Sequence, residues 1–155
     1  MAAVVCATAE GDAAAAAPKA CELLTNPELA AIFGQGVTQE PSTGSTATVS
    51  TCHWKTATAA NGSIQVTAES SSTFAEYKKG SDAAVGPTEA VGGLGTGAYF
   101  GYQVAMGVIA SAQLGVHDGK HIILVNLSDM SSKLSKADAL ARAKEAATKA
   151  LARAK

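Results

Sequence analysis

The chain has 155 residues, of which 47% are hydrophobic and 5% aromatic, and its 12 basic and 13 acidic side chains give a formal net charge of −1. This length suits one domain with its own core, and a nearly neutral chain lacks the net basic surface that attracts nucleic acids or anionic membranes. Alanine makes up much of the hydrophobic fraction but carries little apolar area, so we expect a thin core.

The first nine residues resemble the end of a signal peptide. An uncharged apolar stretch closes with Ala7-Thr8-Ala9, the small-x-small pattern that signal peptidase recognises. We therefore interpret residues 1–9 as a signal-peptide remnant and predict an exported protein, either periplasmic or secreted. Residues 10–20 offer no helix caps and no amphipathic face, which predicts a flexible leader. An ordinary tail without a processing role is the alternative.

Cleavage after Ala9 would remove Cys6 and leave Cys21 and Cys52 as an even pair. An even pair in an exported chain predicts one disulfide, which would close a loop of about 30 residues and contribute about 3 kcal/mol. The pair has neither the C-x-x-C spacing of a redox site nor the four clustered ligands of a zinc site. The expected role is structural, with two inert thiols as the alternative.

A capping box of Thr25 and Glu28 predicts the first convincing helix, which ends at Gly34. Its apolar face consists of Leu29, Ile32 and Phe33. The Gly-, Ser- and Thr-rich segment 35–48 that follows is predicted to be a mobile loop.

Two β-rich segments, 48–55 and 64–69, flank an Asn-Gly turn signal and predict a hairpin with one solvated face. Within it, Cys52 and Trp54 share a face because strand side chains alternate with a period of two. A bond from Cys52 to Cys21 would therefore tie the first helix beside a buried indole.

A second capping box, Thr73 with Glu76, predicts a short helix that ends at Gly80. Residues 98–127 are β-like, and two interruptions within them divide the segment into three antiparallel strands. A third box, Ser135 with Asp138, predicts a helix that runs to the end of the chain.

The turn between the last two strands sets the positions of two histidines. A two-residue loop of Asp118 and Gly119 would place His117 opposite Lys120, whereas a three-residue loop would place His117 opposite His121. In the first register, the shared face would consist of Leu114, Val116, His121, Ile123, Val125 and Leu127.

The final segment, residues 131–155, holds seven basic and two acidic residues, a net charge of +5. Cations late in a helix complement the helix dipole, and a spread of charges around the helix is what a solvated face requires. Nucleic-acid binding is therefore not expected. Contact with an acidic partner or an anionic envelope surface is the alternative.

Together the elements predict an α+β domain over residues 21–155, with a sheet of about five antiparallel strands in the order α-β-β-α-β-β-β-α. The long C-terminal helix covers this sheet. Small residues at the contact layer would permit either close approach of the helix or a cavity for a small apolar ligand. The aromatic residues that could rim such a cavity are Trp54, Phe74, Tyr77, Phe100 and Tyr102. Their alternative role is to fill the core.

Few residue patterns point to chemistry. Gly93-x-Gly95-x-x-Ala98 has the letters of a dinucleotide motif but lacks the strand before it and the helix after it, so no cofactor is expected. No serine lies in G-x-S-x-G, and we predict no enzymatic activity. The alternative is a metal site at the hairpin tip. Its candidate ligands are His117, Asp118 and His121.

Three motifs carry a resemblance to a known group: Cys21-Glu-Leu-Leu-Thr25, Cys52-His53-Trp54, and Gly93-Leu-Gly95 followed by Ala98-Tyr99. They are similar to the C-x-L-L-T, C-x-W and G-L-G-x-x-A-Y pattern of small exported or lipid-anchored bacterial domains of unknown function. The resemblance implies a helix-sheet sandwich, a disulfide between the two cysteines, an envelope or extracellular location and no catalytic residues. The chain departs from the group at Val5, where a lipobox requires a small residue.

The sequence thus predicts a monomeric, exported, non-enzymatic binding or interaction module of the cell envelope, whose partner is an envelope protein or a small apolar ligand. A metal-dependent enzyme or metal-binding protein using the hairpin tip, and a surface antigen with a structural role, are the alternative functions.

Overall fold

The computed structural model of the protein describes residues 16–57, 60–68, 73–129 and 134–155. The predicted signal-peptide remnant and the predicted leader up to residue 15 lie outside the described residues. The chain is attached to the domain at Ala17, because the Ala17 N–H donates a hydrogen bond of 2.8 Å to the Ala47 carbonyl oxygen. Ala20 already belongs to the first helix and is only 1% exposed. Across the described ranges, no helix has the length and apolar character needed to cross a membrane.

The elements in chain order are α1 (Ala20–Leu23), α2 (Asn26–Phe33), β1 (Thr38–Pro41), β2 (Val49–Lys55), β3 (Ala60–Ala68), α3 (Phe74–Val85), β4 (Glu89–Ala90), β5 (Gly97–Ala105), β6 (Val108–His117), β7 (His121–Asp129) and α4 (Lys136–Arg153).

The strands form one antiparallel sheet of seven strands in the order β1-β2-β3-β7-β6-β5-β4. The α+β class, the single antiparallel sheet and the C-terminal helix are confirmed, whereas the predicted number of about five strands is wrong. The additional strands, β1 and β4, are the two edges, and β1 lies within the segment predicted to be a loop. Both are short and mostly exposed on both faces, so neither shows the alternation that marks a half-buried strand.

The predicted helix starts are confirmed. Each cap hydroxyl accepts a hydrogen bond from the backbone N–H three residues further on. At two of the three caps, the backbone N–H of the cap residue also donates to the glutamate carboxylate, which completes a capping box. The cap pairs are Thr25 with Glu28, Thr73 with Glu76, and Ser135 with Asp138. These contacts are local in sequence, so the sequence pattern identifies them without knowledge of the fold.

Helix α3 does not end at Gly80 as predicted, but continues for a further turn to Val85. A glycine inside a helix costs only about 1 kcal/mol relative to alanine, which tertiary packing outweighs. An ion pair of 3.0 Å between Lys78 Nζ and Asp82 Oδ2 also bridges the turn that contains Gly80. The helix ends before Gly86, whose φ of +87° suits glycine.

The β6–β7 hairpin adopts neither predicted register. His117 opposes Ile122, and the turn residues are Gly119 and Lys120 rather than Asp118 and Gly119. Gly119 has a φ of +97°, and glycine at the first turn position is typical of type II′ hairpins. This register differs from the predicted two-residue loop by two positions, so it leaves the same side chains on the same face.

The sheet lies between two layers of helix. α4 packs on β6 and β7 together with α1 and α2, whereas α3 packs on the opposite face against β5 and β6. The contact between α4 and the sheet is made largely by alanines that are fully buried, each at 0% exposure. They are Ala139, Ala143, Ala146, Ala147 and Ala150. The small residues therefore give close approach of the helix to the sheet.

The predicted disulfide is present and joins α1 to β2 through Cys21 and Cys52. Cys52 is fully buried and Trp54 is 3% exposed, and the two side chains share a face as predicted, which in the structure is the face that α4 covers. The Trp54 indole stacks on Phe33 with ring centroids 5.2 Å apart. It also lies directly over Gly62 on β3, where a Cβ atom would come within 2.5 Å of the indole.

An ion pair fastens the end of α4 to the start of α2. The Arg153 guanidinium donates to both Glu28 carboxylate oxygens at 2.7 and 2.8 Å, and also to the Leu23 carbonyl oxygen at 2.8 Å. The hydrogen bond from Arg153, followed by that from the Thr25 N–H, lowers the pKa of Glu28 from 4.5 to about 2. The ionised carboxylate therefore stabilises the folded state.

We expect Glu28→Gln to lower the free energy of unfolding at pH 7 by about 1 kcal/mol, a modest value because solvent screens this pair. Since folding depresses the pKa of Glu28, the contribution is complete above pH 4.5 and is lost as pH falls towards about 2. Urea unfolding of wild type and variant should therefore converge over that range. Glu145→Gln is the control, because this α4 side chain is 55% exposed. If Glu28→Gln still had a lower free energy of unfolding than wild type at pH 2, the proposed role of the ionised Glu28 carboxylate would be contradicted.

Removing the disulfide in the double variant Cys21→Ser/Cys52→Ser should lower the free energy of unfolding by about 2 to 4 kcal/mol, because the unfolded chain regains the entropy of an open loop. Urea unfolding of the variant, compared with wild type before and after reduction, measures this effect. The variant should match reduced wild type. If the double variant and reduced wild type both unfolded at the same urea midpoint as oxidised wild type, the disulfide would contribute nothing to stability.

Candidate functional site

The five aromatic residues predicted to rim an apolar layer lie on both faces of the sheet. Trp54 and Phe100 are buried under α4, and Tyr102 stacks beside Phe100 with ring centroids 6.0 Å apart and Lys136 Nζ 5.4 Å from its own ring centroid. Phe74 and Tyr77 belong to α3 on the opposite face. The structure therefore does not bring these residues together around one ligand, and the space that they were expected to surround is filled by α4.

The hairpin tip does not gather its three candidate metal ligands. His117 lies on the α3 face, where its ring stacks on Phe74 with centroids 5.6 Å apart. His121 lies on the opposite face of the sheet and is only 7% exposed. Its Nδ1 is 3.2 Å from Asp118 Oδ2. Only Asp118 and His121 are in contact. Within the described part of the chain, no group of three His, Cys, Asp or Glu side chains is arranged to hold a metal ion.

Asp118 instead organises the turn. Its Oδ1 accepts hydrogen bonds from the N–H groups of Lys120 at 2.8 Å and His121 at 2.6 Å. Burial acts to raise the pKa of Asp118, but the hydrogen bonds from these backbone groups and from the His121 imidazole outweigh it and lower the pKa. The carboxylate thus serves as a turn cap.

A polar surface occupies the α3 face of the sheet. At one level, four side chains on adjacent strands stand opposite one another and follow the order of the sheet from β2 through β3 and β7 to β6. We call these residues the polar row. The polar row consists of His53, Ser63, Asn126 and Gln113. Neighbouring strands lie about 4.8 Å apart, so the row spans about 14 Å.

Hydrogen bonds link three of the four members of the polar row, Gln113, Asn126 and Ser63. Gln113 Nε2 donates to Asn126 Oδ1 at 2.6 Å, and Asn126 Nδ2 donates to Ser63 Oγ at 3.1 Å. Among the described residues, Gln113 Oε1 is buried from solvent and has no hydrogen-bond partner. A buried acceptor without a partner costs roughly 1 to 3 kcal/mol, so this oxygen marks a position where a donor is missing.

Two adjacent cavities lie along the polar row. The larger, of about 340 Å³, lies between one side of α3 and strands β6 and β7, and the smaller, of about 220 Å³, is lined mainly by residues of β2, β3, β6 and β7. Gln113 lines the first and Asn126 lines the second, and the hydrogen bond between them crosses the boundary. We refer to these two neighbouring cavities together as the α3-face groove. Such a volume is within the range of ligand-binding sites.

Helix α3 leaves this space open because its groove side carries small residues. They are Gly80, Ser81 and Ala84. A Cβ atom built on Gly80 would meet nothing within 4 Å. The Ser81 hydroxyl is fixed by the Tyr77 carbonyl oxygen at 2.9 Å and lies 2.7 Å from the Tyr99 hydroxyl. Burial raises the pKa of Tyr99, so its phenol stays neutral.

Tyr77 forms one wall of the groove and is held rigidly. Its hydroxyl accepts a hydrogen bond of 2.9 Å from Gln65 Nε2 and lies 2.6 Å from the Thr67 hydroxyl. These contacts fix the ring while it lines the larger cavity beside Leu124. The groove therefore has a preformed aromatic and aliphatic wall next to a polar floor.

The groove is almost uncharged. Among the described residues that line its two cavities there is no lysine or arginine, and Glu76 is the single carboxylate. The Glu76 carboxylate also caps α3 by accepting from the Thr73 N–H at 2.9 Å. A ligand with phosphate or carboxylate groups would find no compensating cation here, so the lining suits a neutral molecule that donates and accepts hydrogen bonds.

The polar row was not predicted from the sequence. A signal was present, because Gln113 alternates with buried Ala112 and Leu114, and Asn126 alternates with buried Val125 and Leu127. Alternation indicates only that these positions face away from the core, as any solvated strand position does. Their convergence depends on the register of β3, β7 and β6.

Comparison with known proteins adds no family or relative. No family model matches the chain, and neither the curated proteins nor the solved structures include a significant match. The resemblance to small exported bacterial domains therefore stays a prediction from the sequence motifs.

Two matched substitutions test the assignment of Gln113 Oε1. Gln113→Met removes the unpartnered acceptor together with one hydrogen bond, so we expect no loss in the free energy of unfolding. Gln65→Met makes the same change at an amide whose bonds to Tyr77 and Thr67 are satisfied, and it should cost about 1 kcal/mol. Urea unfolding measures both. A larger loss for Gln113→Met than for Gln65→Met would show that Gln113 already has its partners.

Proposed function

We propose that this chain is an exported, non-enzymatic binding domain of the bacterial cell envelope that holds a small neutral ligand in the α3-face groove. The observation that carries the proposal is the buried, unpartnered Gln113 Oε1, which belongs to a residue that lines the larger cavity of this groove. A small opening of the groove around Gln113 on binding would expose this oxygen to a ligand donor, and the new hydrogen bond would remove the desolvation penalty that the free protein retains.

Export is supported by two features of different kinds. The sequence begins with a stretch that resembles the end of a signal peptide, and the two remaining cysteines are joined in a disulfide. Disulfides persist in oxidising compartments and are rare in the cytosol. The envelope location and the proposal of an exported domain rest on these features and on the motif resemblance.

The ligand differs in chemistry from the small apolar molecule that the sequence suggested. That expectation required space between the final helix and the sheet, where α4 instead packs directly through its alanines. The α3-face groove lies on the other face, and its polar lining consists mainly of amides and hydroxyls. A neutral polar ligand is therefore the better match.

Two variants of α3 test whether the groove is the binding site. Gly80→Leu places a side chain in open space that faces the larger cavity, and leucine also favours helix by nearly 1 kcal/mol relative to glycine. This variant should fold at least as stably as wild type but lose its ligand. Ala83→Leu is the control, because Ala83 is exposed on α3 and lies outside the residues that line either cavity.

The measurement is native mass spectrometry of each protein purified from its own cell envelope. Wild type and Ala83→Leu should carry a constant additional mass that Gly80→Leu lacks. Wild type without any additional mass, which also takes up no small molecule from an envelope extract, would contradict the proposal. An equal additional mass on all three proteins would place the ligand elsewhere.

A further inference from the structure

We infer that the ligand of the α3-face groove is a neutral oligosaccharide, an inference that rests on the proposed binding function and specifies its chemistry. Four properties of the groove are relevant: its charge, the pattern of its hydrogen-bonding groups, its wall and its shape. Each narrows the class of molecule that would be recognised.

The first property is charge. The described lining of the groove contains no lysine or arginine, so it offers no permanent cation to compensate the charge of a nucleotide, an acidic sugar or a carboxylate metabolite. The ligand must nevertheless provide hydrogen-bond donors, because the buried acceptor Gln113 Oε1 lacks one. Hydrocarbons and fully esterified neutral lipids do not meet this requirement, because they have no hydrogen-bond donor.

The second property is the pattern of the floor. A planar amide presents a donor and an acceptor side by side, and the polar row places two amides next to the Ser63 hydroxyl. Adjacent hydroxyl groups on a sugar ring can each donate and accept, so they complement an amide through paired hydrogen bonds. Gln113 and Asn126 are bonded to each other, which holds both amide planes in position before the ligand arrives.

The third property is the wall. Tyr77 is fixed through its hydroxyl and lies beside Leu124 and Ala84 along the larger cavity. A sugar ring has hydroxyl groups around its edge and C–H groups on its faces. One face of a ring could therefore contact this wall while its edge reaches the polar row.

The fourth property is shape. The row crosses four strands over about 14 Å and follows an open groove, which suits a chain of linked rings better than a single ring. An extended peptide typically pairs with the free edge of a sheet through its main chain, but this groove lies on a sheet face and presents side chains. A saccharide is therefore favoured over a peptide.

NMR titration of ¹⁵N-labelled protein tests this inference directly through the side-chain amide signals of Gln113 and Asn126. The probes are the neutral trisaccharides cellotriose, maltotriose and triacetylchitotriose, with trigalacturonic acid and trialanine as charged and peptide comparisons. At least one neutral trisaccharide should shift both amide signals saturably, whereas the comparison probes should not. Gly80→Leu should abolish the shifts and Ala83→Leu should retain them.

Gln113→Met provides a second readout, because it removes the acceptor that the ligand is expected to satisfy. The affinity for the active trisaccharide should fall by about tenfold or more. In parallel, any ligand released from the native protein is hydrolysed and analysed for monosaccharides. Sugar in this ligand, or a saturable shift with a neutral trisaccharide, supports the inference.

The inference and the proposed function fail in different ways. A released ligand without sugar, together with no response to the trisaccharides, would overturn the carbohydrate assignment and leave a binding domain for another molecule. No native ligand and no response to any probe would overturn both. A ligand whose binding was unaffected by Gly80→Leu would show that the groove is not its binding site.

Discussion

The close contact between α4 and the sheet determines how the remaining surface is used. Alanine at each contact position lets the helix backbone approach the strands, and the apolar side chains that meet it come from alternate positions of β3, β6 and β7. Because strand side chains alternate, a sheet that commits one set of positions to this core presents the other set on the opposite face. The residues on that second face are therefore not required to be apolar.

Two further cross-links, one covalent and one ionic, act on the same side of the sheet as α4. The disulfide fastens α1 to β2, and the ion pair of Glu28 with Arg153 fastens α2 to the end of α4. On the other side, α3 packs on a smaller apolar cluster around Tyr99 and Ile122. Stability is thus concentrated on one face, which leaves the α3 face able to carry an unpartnered acceptor and a groove. Binding sites commonly retain such locally unfavourable features.

The sequence predicts what depends on neighbours along the chain. Thr25 and Ser135 were identified as helix caps because their partners lie three residues away, and Cys21 and Cys52 because two cysteines remain after the proposed cleavage. The shared face of Cys52 and Trp54 follows from strand periodicity alone. These predictions hold regardless of how the strands are ordered.

Features set by distant parts of the chain were not predictable in this way. β1 and β4 are strands only because β2 and β5 pair with them, and α3 continues through Gly80 despite a local stop signal. The turn at Gly119 shows how a local motif permits more than one register. The polar row is the clearest case, since Ser63, Asn126 and Gln113 meet only after three strands have paired.

The central claim is that a donor on a ligand completes the environment of Gln113 Oε1. The most direct measurement is a high-resolution crystal structure of the protein isolated from its own cell envelope. We predict continuous electron density in the α3-face groove, with a ligand oxygen or nitrogen within hydrogen-bond distance of Gln113 Oε1. A ligand bound at another surface, with this groove closed by the movement of α3 onto the sheet, would contradict it.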